Sequence, residues 1–219
     1  MNKHFTDQER LLLQDIMKHR RDVRGNKFVD TPICDDTIHK ILHAAELSPS
    51  VGFSQPWEFV VVRDVNTKRT IADIFEEENN KAQQLFEGDK REQYAQLKLE
   101  GILKTPVNIA VFYKPSEGVV LGQTSMDEAG EYSVVCAVQN MWLMARAMNI
   151  GMGWVSILNP EKVKEVLNVP AQSKLVAYLC VGYVSEFLDS PELEQLKWEA
   201  RVPLSNAIHQ ECYQHKENK

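Results

Sequence analysis

The chain has 219 residues, 43% of them hydrophobic and 26% charged, with a formal net charge of −6. That length suits one domain with a sizeable core, and the ordinary globular balance carries no signature of disorder. The negative charge argues against nucleic acid as the main partner, because a phosphate-tracking surface needs an excess of Lys and Arg. No apolar run approaches the roughly 20 residues that cross a bilayer, so no membrane partner is expected.

The first helix is expected to begin at Thr6, where Thr6-Asp7-Gln8-Glu9 has capping-box spacing, and Leu12, Ile16 and His19 share one face of it. A second helix starts near Asp35 or Asp36, with Ile38, Ile41, Leu42 and Ala45 at helical spacing. Ser48 to Pro56 is a turn-rich loop, and Trp57 to Arg63 reads as a buried strand rich in β-branched residues. Residues 66–104 are highly charged with sparse apolar positions and glycines at 88 and 101. They read as a helical excursion or lid on a single domain spanning residues 1–219. Val107 to Tyr113 returns to strand. From Met126 to Asn149 apolar residues recur on nearly every face, which marks a central helix or a subunit interface. Gly151 or Gly153 ends that helix in a turn, Trp154 to Leu158 is extended, Glu161 to Leu167 is a short helix, and Leu175 to Tyr183 is the last clear strand. Strands lie too far apart for simple hairpins, so the spacing suggests an α+β fold or a three-layer αβα sandwich.

Cys34, Cys136, Cys180 and Cys212 form no C-x-x-C pair, so neither a zinc site nor a redox dithiol is suggested. Cys136 and Cys180 lie among apolar residues and read as core positions. The polar start Met1-Asn2-Lys3-His4 resembles no leader, and a cytoplasmic, reduced protein is expected.

Three segments carry chemistry. Arg20-Arg21-Asp22-Val23-Arg24-Gly25 packs three guanidinium groups into five positions. Their fork-shaped donors match phosphate oxygens, although a solvated basic helix end has the same composition. Asp22 among those arginines is either a local salt-bridge partner or a carboxylate held ionised beside a ligand. Ser48-Pro49-Ser50 through Gln55-Pro56-Trp57 offers hydroxyls and one amide on a constrained loop, suited to the polar edge of a heterocycle or simply to delivering the chain into the sheet. Gly151-Met152-Gly153-Trp154-Val155-Ser156 sets two glycines where backbone approaches something closely, or where a helix merely ends. No dinucleotide or P-loop fingerprint occurs, and no G-x-S-x-G elbow supports a hydrolase.

Taken together, the Arg-Arg-x-x-Arg motif after helix one, the Ser-rich loop ending in Gln55-Pro56-Trp57, the long central helix and the Gly151–Ser156 stretch resemble the nitroreductase-like flavoprotein superfamily over residues 14–203. Asp22 stands where that superfamily usually has Ser or another small residue, and Val51-Gly52-Phe53-Ser54 where it usually has Asn. Both departures are similar to the branch that synthesises dimethylbenzimidazole. The resemblance implies a three-layer αβα sandwich with a central mixed, mainly antiparallel sheet, assembled as an intertwined homodimer with FMN at each subunit interface. It assigns Arg20, Arg21 and Arg24, with Asp22 and Val23 between them, to the FMN phosphate and ring edge. Arg201 in the tail is a candidate for the same phosphate. Ser48, Ser50 and Gln55 would face the flavin from the other subunit, and Trp154 and Ser156 would run beside the isoalloxazine. In that branch reduced FMN is the substrate and dioxygen the co-substrate, and the products are 5,6-dimethylbenzimidazole, the lower ligand of vitamin B12, and erythrose 4-phosphate. Asp22 is the implied acid/base and Ser156 a hydrogen-bonding partner near the ring. A flavin reductase using NAD(P)H is the implied indirect electron source. The rivals are an NAD(P)H-dependent nitroreductase or flavin reductase that keeps its FMN, and a flavin- or phosphate-binding module without catalysis.

Overall fold

Four strands, β1 (Trp57–Val62), β2 (Val107–Tyr113), β3 (Gly151–Val155) and β4 (Lys174–Gly182), form one sheet in the order β1-β2-β4-β3. A computed structural model describes residues 2–214 of the chain. Every strand pair is antiparallel, and the one parallel pairing among the described residues is the isolated bridge between Asp22 and Met152. Among the described residues the α-helices are α1 (Asp7–His19), α2 (Asp35–Glu46), α3 (Val65–Gln83), α4 (Gly88–Gln96), α5 (Ala129–Ala147), α6 (Pro160–Val166) and α7 (Glu192–Gln195).

β2 is buried along its whole length, so both its faces need cover, and its side chains alternate between two cores. Val107, Ile109, Val111 and Tyr113 join Leu179 and Val181 of β4 under α2 and α5. Ala110 and Phe112 join Tyr178 and Cys180 under α3 and α6. These two clusters on opposite sheet faces make the three layers. Between Val111↔Ala177 and Phe112↔Leu175 the register slips, leaving Val176 as the extra residue of a bulge that keeps both faces apolar.

Helix starts follow from local chemistry. The Thr6 hydroxyl accepts from the Glu9 amide at 3.3 Å, and the Glu9 carboxylate accepts from the Thr6 amide at 2.9 Å, which completes the expected capping box. Asp64 caps α3 through the Thr67 amide, and Asn159 caps α6 ahead of Pro160.

Three expectations change. The stretch 66–104 is not a lid as a whole: Ile71, Ile74 and Phe75 of α3 are buried against Phe112 and Tyr178, and the Lys68 ammonium donates inward to the Thr105 carbonyl at 2.8 Å. Residues 84–98, α4 and its flanks, contribute nothing to that cluster, whereas Leu99 packs against it. Gly151 and Gly153 lie within β3 rather than in a turn. Cys136 is exposed, because α5 turns it about 200° away from the buried Val134 and Val138, whereas Cys180 is buried as expected.

The chain divides into two compact units, Met1–Asp189 and Ser190–Lys219. The first holds the whole sheet. In the second no described residue is fully buried, so it has no core of its own. Among the described residues no helix is long and apolar enough to cross a membrane.

Candidate functional site

The six residues after α1 do not lie free on the surface; they form a short extra edge beside β3. Val23 donates its amide to the Met152 carbonyl at 3.1 Å, and Asp22 pairs with Met152. The approach is close enough that a Cβ on Gly153 would sit 2.1 Å from the Val23 carbonyl oxygen. A Cβ on Gly151 would likewise lie 2.3 Å from Val184. The glycine pair therefore admits neighbouring protein, not a ligand, to the backbone of β3. Val23 itself is buried and points no side chain outward.

Asp22 is the best-held polar group there. Its Oδ1 accepts from the Trp154 amide at 3.0 Å, and its Oδ2 pairs with Arg24. Although 32% of its side-chain surface is exposed, both oxygens face protein groups. Burial pushes the carboxyl above its ordinary value, against the pull of Arg24, the Trp154 N–H and Arg20. A carboxyl raised in this way exchanges a proton nearer neutral pH than a free aspartate does.

The arginines divide by role. Arg21 donates through Nε to the Leu188 carbonyl at 2.8 Å, through Nη1 to those of Lys18 and Arg20 at 2.8 and 2.7 Å, and through Nη2 to that of Asp189. Four of the five guanidinium N–H donors are thus committed to backbone. Arg20 stacks over the Trp142 ring at 4.8 Å, a contact that leaves the edge donors of its guanidinium outside the stack. Arg24 keeps only 15% of its side-chain surface exposed, and its Nη1 donates to the carbonyls of Leu99 and Trp154 at 3.2 and 3.3 Å. Trp142 of α5 also donates its indole N–H to the Arg21 carbonyl at 3.1 Å, and its ring lies 6.3 Å from that of Trp154. Its spacing within α5 signals burial and says nothing of these contacts.

Ser156 follows β3 directly and is exposed beside Trp154. On the Ser-rich loop, the Ser48 hydroxyl accepts from Asn140 Nδ2 of α5 at 2.8 Å, and the Ser50 hydroxyl accepts from the Gln55 amide at 3.0 Å. Val51 donates to Ser133 of α5 at 3.0 Å, so the loop lies along that helix. Gln55 is exposed with φ 47°, an uncommon backbone state for a non-glycine residue, and its side chain borders a cleft of about 390 Å³ with Tyr113, Lys114, Val120 and Gln123. That cleft has no sequence signature, since its walls come from three separate segments. Asn140 and Trp142 are two residues apart on α5, roughly 200° around the helix. The loop and the arginine segment are therefore fastened to opposite faces of one helix. Arg201 lies exposed in the Ser190–Lys219 unit.

Residues 17–183 match the model of the nitroreductase family. The chain is 44% identical over 193 residues to 5,6-dimethylbenzimidazole synthase of Rhodospirillum rubrum, covering 87% of this chain and 90% of that protein. It is 35% identical over 203 residues to the enzyme of the same name from Rhodobacter capsulatus, covering 91% and 97%. Among solved structures, a BluB-like flavoprotein from Clostridium difficile 630 superposes with a TM-score of 0.69 at 23% identity, over 90% of this chain and 97% of that one.

Proposed function

Because this chain belongs to the nitroreductase family, in its 5,6-dimethylbenzimidazole synthase branch, we propose that it fragments reduced FMN with dioxygen into 5,6-dimethylbenzimidazole, erythrose 4-phosphate and the oxidised pyrimidine remainder of the ring. The observation that carries this reading is Asp22: a carboxylate with two protein partners and a raised affinity for protons, beside the exposed end of β3. A reductase that recycles its flavin has less use for such a group, since hydride transfer between nicotinamide and flavin needs no buried acid among the anion-binding arginines.

The residues fit a flavin phosphate and ring. Arg20 keeps edge donors beyond its stack on Trp142, and Arg24 keeps its Nε–H and one Nη2–H after its three contacts within the protein. Arg21 is better suited to bracing the segment than to holding phosphate, given its four carbonyl partners. Reduced FMN, when bound, brings the electrons and carbon skeleton for reaction with dioxygen. The chain's own tasks are then to orient the ring, move protons and exclude water. Asp22 moves the proton, and the exposed Ser156 hydroxyl donates or accepts a hydrogen bond at the ring edge. Ser48, Ser50 and Gln55 reach the flavin from a second copy of the chain, a reading supported by their attachment to the opposite face of α5. Residues 84–101 act as the cover, and electrons reach FMN through a separate NAD(P)H-dependent reductase.

The test is aerobic incubation of the protein with FMN and a chemical reductant, followed by mass analysis. Dimethylbenzimidazole should appear as flavin is lost. Asp22→Asn should bind FMN with similar affinity, since the arginines remain, and form product about 10²–10⁴-fold more slowly. Intact flavin with steady NAD(P)H oxidation would move the protein to the reductase class.

A further inference from the structure

Arg24 joins two parts of the molecule that are 75 residues apart in sequence. One Nη atom pairs with Asp22, and the other donates to the carbonyls of Leu99 and Trp154. The backbone repeats the tie next door, where the Gly25 amide donates to the Glu100 carbonyl at 2.7 Å. Space is cut to fit: a Cβ on Gly25 would lie 2.8 Å from the Glu100 oxygen, and a Cβ on Gly101 would lie 2.9 Å from the Phe28 ring and 3.5 Å from the Gly25 Cα. Residues 99–101 are thus the landing strip of the stretch that leaves α4 and enters β2, and Arg24 with Gly25 is what they land on.

We propose that Arg24 is a positioning residue that couples docking of the 97–101 segment to the placement and charge of the Asp22 carboxylate. The inference rests on the reading of Asp22 as the proton-moving group and adds the means by which the cover and that group are held together. A planar guanidinium suits the task because its fork presents two edges at a fixed angle, one to the carboxylate and one to the carbonyls. With the segment docked, the Leu99 and Trp154 carbonyls fix the plane of Arg24, and the plane fixes where Nη2 meets Asp22. With the segment lifted, Arg24 regains rotamer freedom and Asp22 loses its cationic partner in a site that still disfavours its charge. The cationic groups facing Asp22 are Arg24 and Arg20. Arg21 turns its guanidinium toward the Leu188 and Asp189 carbonyls instead.

Two substitutions in the full-length protein separate the two halves of the coupling. Arg24→Gln removes the charge and the fork. The Asp22 carboxyl, followed by carbon-13 NMR, should then titrate about one pH unit higher, as expected on losing an adjacent cation. Amide exchange across residues 22–30 and 97–105 should quicken by about tenfold or more, since the segment opens locally more often. Arg24→Lys keeps the charge and loses the fork, so the Asp22 titration should return close to that of the parent while exchange at 97–105 stays fast. The pH profile of product formation should follow the Asp22 titration in each variant. Parent-like exchange at 97–105 in both variants, or a parent-like Asp22 titration in Arg24→Gln, would overturn the proposal. If Arg24→Gln does not fold, exchange in Arg24→Lys decides it alone, with parent-like protection as the overturning result. Titration and exchange need no turnover, so a failure to find dimethylbenzimidazole would refute the proposed reaction and leave this coupling to be judged separately.

Discussion

At Gly153 the absent side chain is a contact, because the Val23 carbonyl occupies the space where a Cβ would stand. Gly153→Ala must push residues 22–24 off the edge of β3, breaking the Val23–Met152 hydrogen bond and moving Asp22 off the Trp154 amide. Overpacking of this kind costs about 1–3 kcal/mol. Urea unfolding should register that loss together with slower turnover, and parent-like values of both would refute so close an approach. The sequence made the chemistry of this region legible and its geometry not. A dense arginine cluster around one acid is visible as letters, and so is the oddity of Asp22. That Arg21 spends its donors on carbonyls near residue 188 is decided by how the chain returns after β4, which no local pattern encodes. Likewise, two glycines at spacing two read equally well as a turn or as a strand pressed by a neighbour.

At the scale of elements, α3 shows how a charged sequence hides a core helix. Of its nineteen residues only four are buried, Lys68, Ile71, Ile74 and Phe75, a stripe too narrow to outweigh the surrounding charge in a reading by composition. The strands were easier, since β2 and β4 are apolar runs with β-branched residues, and α5 was found with its ends two or three residues shorter than expected. α3 is also pinned to α6 from outside. Glu77 Oε2 accepts from Lys162 at 2.5 Å while Oε1 accepts from Lys81 one turn along at 2.8 Å. Lys162 and then Lys81 hold the Glu77 carboxyl down to about 2, from an ordinary 4.5. A depressed acid stabilises the fold above its ordinary value and loses that contribution as pH falls toward the depressed one. The stability advantage of the parent over Glu77→Gln should therefore be present at neutral pH and fade as pH drops from 4.5 toward 2. Because the group is exposed to solvent, the advantage should also shrink in high salt. Thermal melts at several pH values check this, and an advantage that grows on acidification would refute the assignment.

At the scale of the whole molecule, the apolar surface left open argues for a second copy. α1 buries no residue, and Leu11, Leu12 and Met17 expose 59%, 62% and 50% of their surface. α5 adds Tyr132 and Val135 on the face away from its core stripe. Scattered exposed apolar residues are ordinary, but a helix with none buried has nothing in one chain to hold it except its caps and end contacts. The same helix delivers Arg20 to Arg24, while the Ser48–Gln55 loop is fastened to the far face of α5, an arrangement that fits the proposed flavin site shared between two copies. The protein should sediment at twice the chain mass at micromolar concentration. Leu12→Glu, placed on α1 and outside the arginine segment, should shift it toward monomer and weaken FMN binding by about tenfold or more, because half of the contacts would come from the departed copy. The two effects should track each other across protein concentration. A monomeric parent that binds FMN tightly, or a Leu12→Glu monomer that binds it as well as the parent, would require the Ser48–Gln55 loop and the arginines to serve different ligands.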